Sequence, residues 1–264
     1  MRFKPFRSKA PDKEGLFHQH QACFGHLDGW LAPPAAATMT FLLERQKMLN
    51  IHGNLMELGV YQGLAATLIS LHARQGEMSV FGDYHLPTDV REVIDKANAG
   101  KIIFLEKSTA LIKPAEDFPN KDRSFRFIHI DAGHAGTELM MDLRLAETLL
   151  SEDGIICVDD FFNALYPQIS DAVFRYIANN PYQLSLFMCG ASKAFLGRPR
   201  FVRPYMEAIA NDLPSYLQEV GLEKFIVAKS TVPDELNCFS VVGNPEKNSD
   251  RRRGPDWARD TFPY

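Results

Sequence analysis

The chain has 264 residues, 45% of them hydrophobic and 23% charged, and carries a formal net charge of −4. That length suits one large domain with accessory pieces, and the composition excludes a fibrous or disordered chain. The mild negative charge gives no general attraction to nucleic acid or anionic lipid, so neither is an expected partner.

The basic start, MRFKPFRSKAPDKEG, has no apolar segment behind it, and no stretch approaches the roughly 18 uninterrupted apolar residues of a membrane span. A cytoplasmic, non-membrane protein is expected. Cys23, Cys157, Cys189 and Cys238 are widely separated with no CxxC pair, which points to a reducing compartment and away from structural zinc.

In chain order, residues 1–52 hold GLFHQHQACFGHLDGWLAPP and a helical stretch, TMTFLLERQKML; this segment is expected as a cap or lid over the edge of a sheet. Between residues 53 and 198 short apolar runs alternate with segments of helical period, the signature of a parallel sheet with crossover helices. NLMEL (54–58), MSVFG (78–82), KIIFL (101–105), FRFIHI (125–130) and GIICV (154–158) read as five strands.

GLAATLISLHARQG, PTDVREVIDKANAG and TELMMDLRLAETLL read as the helices between them. In the last of these, Leu139, Leu143, Ala146 and Leu150 fall on one face. ALYPQISDAVFRYIANN reads as a helix interrupted by Pro167, and YQLSLFMC with SKAFLG as a terminal antiparallel hairpin. Residues 199–243 hold an accessory helix, PYMEAIANDLPSYLQEV, and two strand-like runs, KFIVA and NCFSVV. Residues 244–264, with Arg251 to Arg253, read as a flexible, solvated tail.

Ligands of an open parallel sheet bind beyond the carboxyl ends of its strands, so the residues that follow each strand are the candidates. After the first strand comes ELGVYQG, with Glu57, Gly59, Tyr61 and Gly63. Its spacing is not that of the dinucleotide fingerprint, which disfavours NAD. Glycines here let the backbone approach a ligand or merely shape the turn.

Asp83 ends the second strand, where a carboxylate can accept both ribose hydroxyls or stay in a solvated loop. Ser108 follows the third strand and suits an adenine edge or a helix cap.

Asp131 follows the fourth strand, and Asp159 and Asp160 follow the fifth, 28 residues on. If those strands are neighbours, their ends lie ~4.8 Å apart. Three carboxylates in so small a volume repel one another and attract a cation, and an all-oxygen set favours Mg²⁺, or Mn²⁺ or Ca²⁺, over zinc. The competing reading is a helix cap with solvated neighbours.

His134, three residues past Asp131, is placed as a general base beside that cluster, with His85 a weaker candidate for the pocket wall. His18, His20 and His26 suit a mobile lid or a polar pocket wall better than a second metal site.

Together these stretches resemble the class I S-adenosylmethionine-dependent methyltransferases, and within them the metal-dependent O-methyltransferases of the macrocin and mycinamicin type. ELGVYQG resembles their first motif, GDYH the acid closing their second strand, and IDAGHAGTELMMDLRLAETLLSEDGIICVDDFF their fourth strand, helix and fifth strand.

The resemblance covers about residues 53–198 and implies a Rossmann-like three-layer α/β sandwich. It implies that Asp131, Asp159 and Asp160 hold Mg²⁺ and that His134 is the base, as in those members with a histidine three residues after the first ligand. It also implies that Glu57, Gly59, Tyr61, Gly63, Asp83, Ser108 and Asp131 bind S-adenosylmethionine.

The expected acceptor is a small-molecule hydroxyl, foremost a sugar or other vicinal diol of a natural product or glycan, and the reading leaves room for a homo-oligomer. Two rivals are an Mg²⁺-dependent phosphoryl-transfer enzyme, disfavoured because no GxxxxGK[ST] loop occurs, and a non-catalytic S-adenosylmethionine-binding protein.

Overall fold

The computed structural model describes residues 15–118, 124–229 and 238–244. Most of the tail expected from residue 244, with its three arginines, lies outside the described residues, as does the basic start. No helix among the described residues is long and apolar enough to cross a membrane.

The apolar runs become strands with nearly the expected bounds: β1 (Asn54–Leu58), β2 (Met78–Asp83), β3 (Lys101–Glu106), β4 (Phe125–Ile130) and β5 (Leu150–Val158). Four more follow, β6 (Ser185–Gly190), β7 (Lys193–Gly197), β8 (Phe225–Lys229) and β9 (Phe239–Gly243). All nine join one sheet in the order β3-β2-β1-β4-β5-β7-β6-β9-β8.

Pairing is parallel from β3 through β5, and β7 enters antiparallel between β5 and β6. This is the expected Rossmann-like α/β sandwich, a mostly parallel sheet with an antiparallel hairpin. The accessory strands extend that same sheet: β9 pairs parallel with β6, and β8 pairs antiparallel with β9.

Nine helices accompany the strands among the described residues: α1 (Leu16–Phe24), α2 (Pro33–Met48), α3 (Leu64–Leu71), α4 (Thr88–Ala97), α5 (Pro114–Asp117), α6 (Gly136–Leu149), α7 (Pro167–Asn179), α8 (Arg203–Asn211) and α9 (Leu213–Glu219). Alternation along each strand sends side chains to two separate cores. Met56, Ile128 and Ile156 pack with Leu143 of α6 and Val173 of α7 on one face. Leu55, Phe127 and Ile155 pack with Leu42 of α2 and Ile209 of α8 on the other. Val90 and Ile94 of α4 close a smaller cluster over Phe81.

Several expectations change. Pro167 does not interrupt α7 but begins it, because its fixed φ suits the first turn and its missing N–H has no helical partner there. The single helix expected over residues 204–220 is two, broken at Asp212 with Pro214 opening the second. Leu150 leaves the helical face it was assigned to and starts β5. α1 was not anticipated as a helix.

Of the segment expected as a cap, α2 is instead a core helix, with Met39, Leu42 and Leu43 fully buried. Its Gln46 accepts a hydrogen bond from Arg126 at 2.8 Å. Arg126, 1% exposed, also makes a two-pronged ion pair with Glu77 at 2.9 and 2.8 Å. These contacts lock α2 to the entering ends of β2 and β4, at the opposite end of the sheet from the cavity described next.

Candidate active site

The chain runs outward from β1 through β2 to β3, then returns to β4 on the other side of β1. That reversal opens a crevice at the carboxyl ends of the strands, and a cavity of about 680 Å³ lies there. Its walls include Gly59, Tyr61, Asp83, Ser108, Asp131, His134, Asp159 and Asp160.

Gly59 has φ +86°, and a Cβ there would stand 2.0 Å from the Asp131 carbonyl oxygen. Only glycine lets the loop after β1 cross the end of β4 so closely. Asp83 holds the same loop from the other side: its Oδ2 accepts the Val60 and Tyr61 N–H groups at 2.7 and 3.0 Å, and its Oδ1 accepts Tyr84 N–H at 2.6 Å. A carboxylate offers about four acceptor positions, so capacity remains for a ligand.

Two residues expected to touch the cofactor do not reach the cavity wall. Glu57 shares a strand face with Leu55, which directs it under α2; it is 1% exposed, and its Oε1 lies 2.8 Å from His129 Nδ1. Gly63 takes φ +84° as the residue before α3, and a Cβ there would face Val90 and Ile94 of α4. Both shape the motif from outside the cavity. Of the histidines, His20 is buried against the Leu64 carbonyl at 2.9 Å, and His85 pairs with Glu106 at 3.1 Å; none of His18, His20, His26 or His85 is on the cavity wall.

Of the three acids, Asp131 groups with Asp159 and separately with Asp160, and among the described residues no group of ligand atoms within 4.8 Å holds all three. Ile130 and Val158 are register partners, and Asp159 N–H donates to the Ile130 carbonyl at 2.9 Å, so Asp131 and Asp159 emerge side by side. Beneath them lies Lys193 of β7, 1% exposed, whose ammonium bonds the Asp159 carboxylate.

Burial alone would raise the Asp159 carboxyl, but the Lys193 ammonium outweighs it and holds Asp159 below the usual range. Asp131, lacking its own cation, is pushed well above that range by burial and by Asp159. His129 completes the buried layer; burial and the nearby Lys193 lower it to about 3, so it is neutral.

Asp160 takes φ +57°, which turns its side chain away from Asp159. Its Oδ2 lies 2.8 Å from His134 Nε2, and its Oδ1 accepts from Asn163 at 2.6 Å. The His134 ring rests on Tyr166 with centroids 4.2 Å apart. Tyr61, Asp160 and Ser192 on the cavity wall all have left-handed φ, a clustering of backbone strain found at functional sites.

The donor set suits a hard divalent cation. Asp131 shares in two groups whose ligand atoms lie within 4.8 Å of one another, with His134 and Asp160 at the cavity and with His129 and Asp159 beneath it. The oxygen-rich outer group fits Mg²⁺ or Mn²⁺. The crevice likewise fits a nucleoside cofactor, with Asp83 at the end of β2 and Ser108 beyond β3 on one continuous wall.

Sequence reasoning missed Lys193, which reads only as the second residue of the strand-like run SKAFLG, and His129, whose place inside an apolar run was its one signal. It also missed Asp142, Asn163, Tyr166 and Trp30, all on the wall. Trp30 is 87% exposed and stacks on Tyr61 with centroids 5.5 Å apart.

This strand order places the crevice at the β1/β4 switch point of an open α/β sheet. Residues 56–161 match a family model described as a methyltransferase domain. No curated protein sequence matches the chain.

Among solved structures, the O-methyltransferase NovP is 17% identical, with 62% of this chain and 80% of that one covered at a TM-score of 0.49. CalS11, a TDP-rhamnose 3'-O-methyltransferase of calicheamicin biosynthesis, is 16% identical over 73% and 96% at 0.48. An O-methyltransferase from Bacillus cereus, in complex with SAH, is 16% identical over 70% and 90% at 0.49. Likenesses this distant say nothing of this chain's acceptor.

Proposed function

We propose that the protein is a divalent-cation-dependent O-methyltransferase acting on a small-molecule hydroxyl, with a vicinal diol on a sugar of a natural product or glycan as the first candidate. The observation that supports this reading is the placement of Asp131, Asp160 and His134 with ligand atoms within 4.8 Å of one another, with Asp159 beside Asp131, on the wall of a cavity that also holds Asp83 and Ser108. When bound, S-adenosylmethionine supplies an electrophilic methyl group, and Mg²⁺ or Mn²⁺ lowers the pKa of a hydroxyl and fixes two adjacent oxygens.

Gly59 and Tyr61 line the methionine end, with Glu57 and Gly63 shaping that loop from behind. Asp83 takes the ribose and Ser108 the adenine side. Asp131 and Asp160 would hold the cation, with Asp159, bound to Lys193, adding its charge from beneath. With Nε2 of His134 turned to Asp160, Nδ1 is the ring nitrogen left to take the hydroxyl proton, and Asp160 steadies the imidazolium that results. Tyr166 fixes the plane of the ring.

The test is a screen of sugars and catechols with S-adenosylmethionine and Mg²⁺, read as S-adenosylhomocysteine release. Turnover is expected with vicinal diols and is lost on adding EDTA and in Asp160→Ala. Full activity of Asp160→Ala in the presence of EDTA would overturn the cation's role.

A further inference from the structure

The cavity wall holds one buried acceptor with nothing to accept. Asp142 lies on α6, is 1% exposed, and has an Oδ2 that no described residue reaches. An unsatisfied buried carboxylate oxygen is costly, and the cost persists in a fold when a ligand satisfies it. Thr109 lies on the same wall and favours the ionised carboxylate, while the charge of Glu138 opposes it. Burial raises Asp142 to about 6, so at neutral pH it is mostly an ionised acceptor.

The position says what donor to expect. α6 packs against the short 3-10 turn of residues Thr109–Leu111, directly after β3. Asp142 therefore shares its wall with Ser108, Thr109 and Ala110. This is the end of the crevice beyond Asp83, away from β1, on the side that the nucleoside reading gives to the base. Adenine offers a two-hydrogen donor, its exocyclic amine, and no other group of the cofactor at that end is a donor.

We propose that Asp142 reads the adenine of the cofactor, its free Oδ2 accepting a hydrogen bond from the exocyclic amine. The inference rests on the S-adenosylmethionine reading and adds a residue that discriminates adenine from a 6-oxo purine. A 6-oxo base presents an acceptor to a carboxylate, two like partners with no hydrogen between them.

The test is calorimetric titration of the full chain, without acceptor, with S-adenosylhomocysteine and with its deaminated analogue S-inosylhomocysteine. Wild type is expected to bind the adenosyl compound at least about tenfold more tightly, the scale of a hydrogen bond to a charged group. In Asp142→Asn, whose amide can also donate, the preference is expected to shrink to within about threefold.

Asp142→Ala should weaken the adenosyl compound and leave the inosyl compound no weaker, bringing the two towards a common affinity, and thermal melts check that each variant is folded. Equal binding of the two compounds by wild type, or a preference unchanged in the folded variants, would overturn the role of Asp142 alone. Binding of neither compound by wild type would overturn the cofactor reading and this inference together.

Discussion

Lys193 of β7 and Asp159 at the end of β5 form a buried ion pair directly under the acidic end of the cavity. The strands run antiparallel with Val158 opposite Ala194, which sets the next two residues against each other. The other Asp159 oxygen accepts Asp160 N–H at 2.7 Å, so Asp159 faces inward while Asp160 faces His134. Three carboxylates and one ammonium leave a formal charge of −2 when all are ionised, which one divalent cation balances.

Replacing Lys193 by Met leaves that cluster without its internal cation. Removing one partner of a buried pair costs about 3–5 kcal/mol, so the variant should melt well below wild type. Added Mn²⁺ should restore more of the melting temperature in Lys193→Met than it adds to wild type. A variant that melts with wild type and ignores Mn²⁺ would show that Lys193 compensates nothing.

His134→Ala and Asp160→Asn should each lower turnover by roughly 10²–10⁴-fold, the range for a general base and the group that orients it. S-adenosylhomocysteine affinity should stay within about threefold, because neither residue is placed against the nucleoside. Binding that falls in step with turnover would move both residues from proton transfer to cofactor binding.

Most of the sheet was legible because each central strand is a short apolar run bounded by turn residues, and burial on both faces demands such runs. α1 was not, since LFHQHQACF alternates apolar and polar groups without a clean helical stripe. Asp131, Asp159 and Asp160 were visible because they end strands. Lys193 and Asp142 were hidden because their partners are distant in sequence, and an isolated Lys or Asp in a periodic segment reads as its solvated face. Glu57 is the reverse case: it lies near the end of a strand, but strand alternation turns its side chain into the core.

Stability should depend on pH through Asp142. Its pKa of about 6 in the fold exceeds the ordinary value of about 3.9, so the folded state binds the proton more tightly. The stability this proton contributes is present at low pH and is lost as pH rises from about 4 to about 6, at about 1.4 kcal/mol per pKa unit. Asp142→Asn should remove that slope and be more stable than wild type at pH 7. Parallel profiles of melting temperature against pH would count against a raised Asp142.

Arg126→Met should cost about 1–3 kcal/mol, because Glu77 and Gln46 lose a buried partner while Arg74 stays 3.0 Å from Glu77. The defect belongs to the entering ends of β2 and β4, so the folded variant should bind S-adenosylhomocysteine like wild type. Loss of binding in a folded Arg126→Met protein would mean that the two ends of the sheet are coupled.

The most direct measurement is a pair of calorimetric titrations, S-adenosylhomocysteine and ATP, on wild type and on Asp83→Ala. The account predicts saturable binding of S-adenosylhomocysteine to wild type, weakened at least about tenfold in Asp83→Ala by loss of the ribose and loop contacts, and no binding of ATP. Saturable ATP binding with no response to S-adenosylhomocysteine would contradict it.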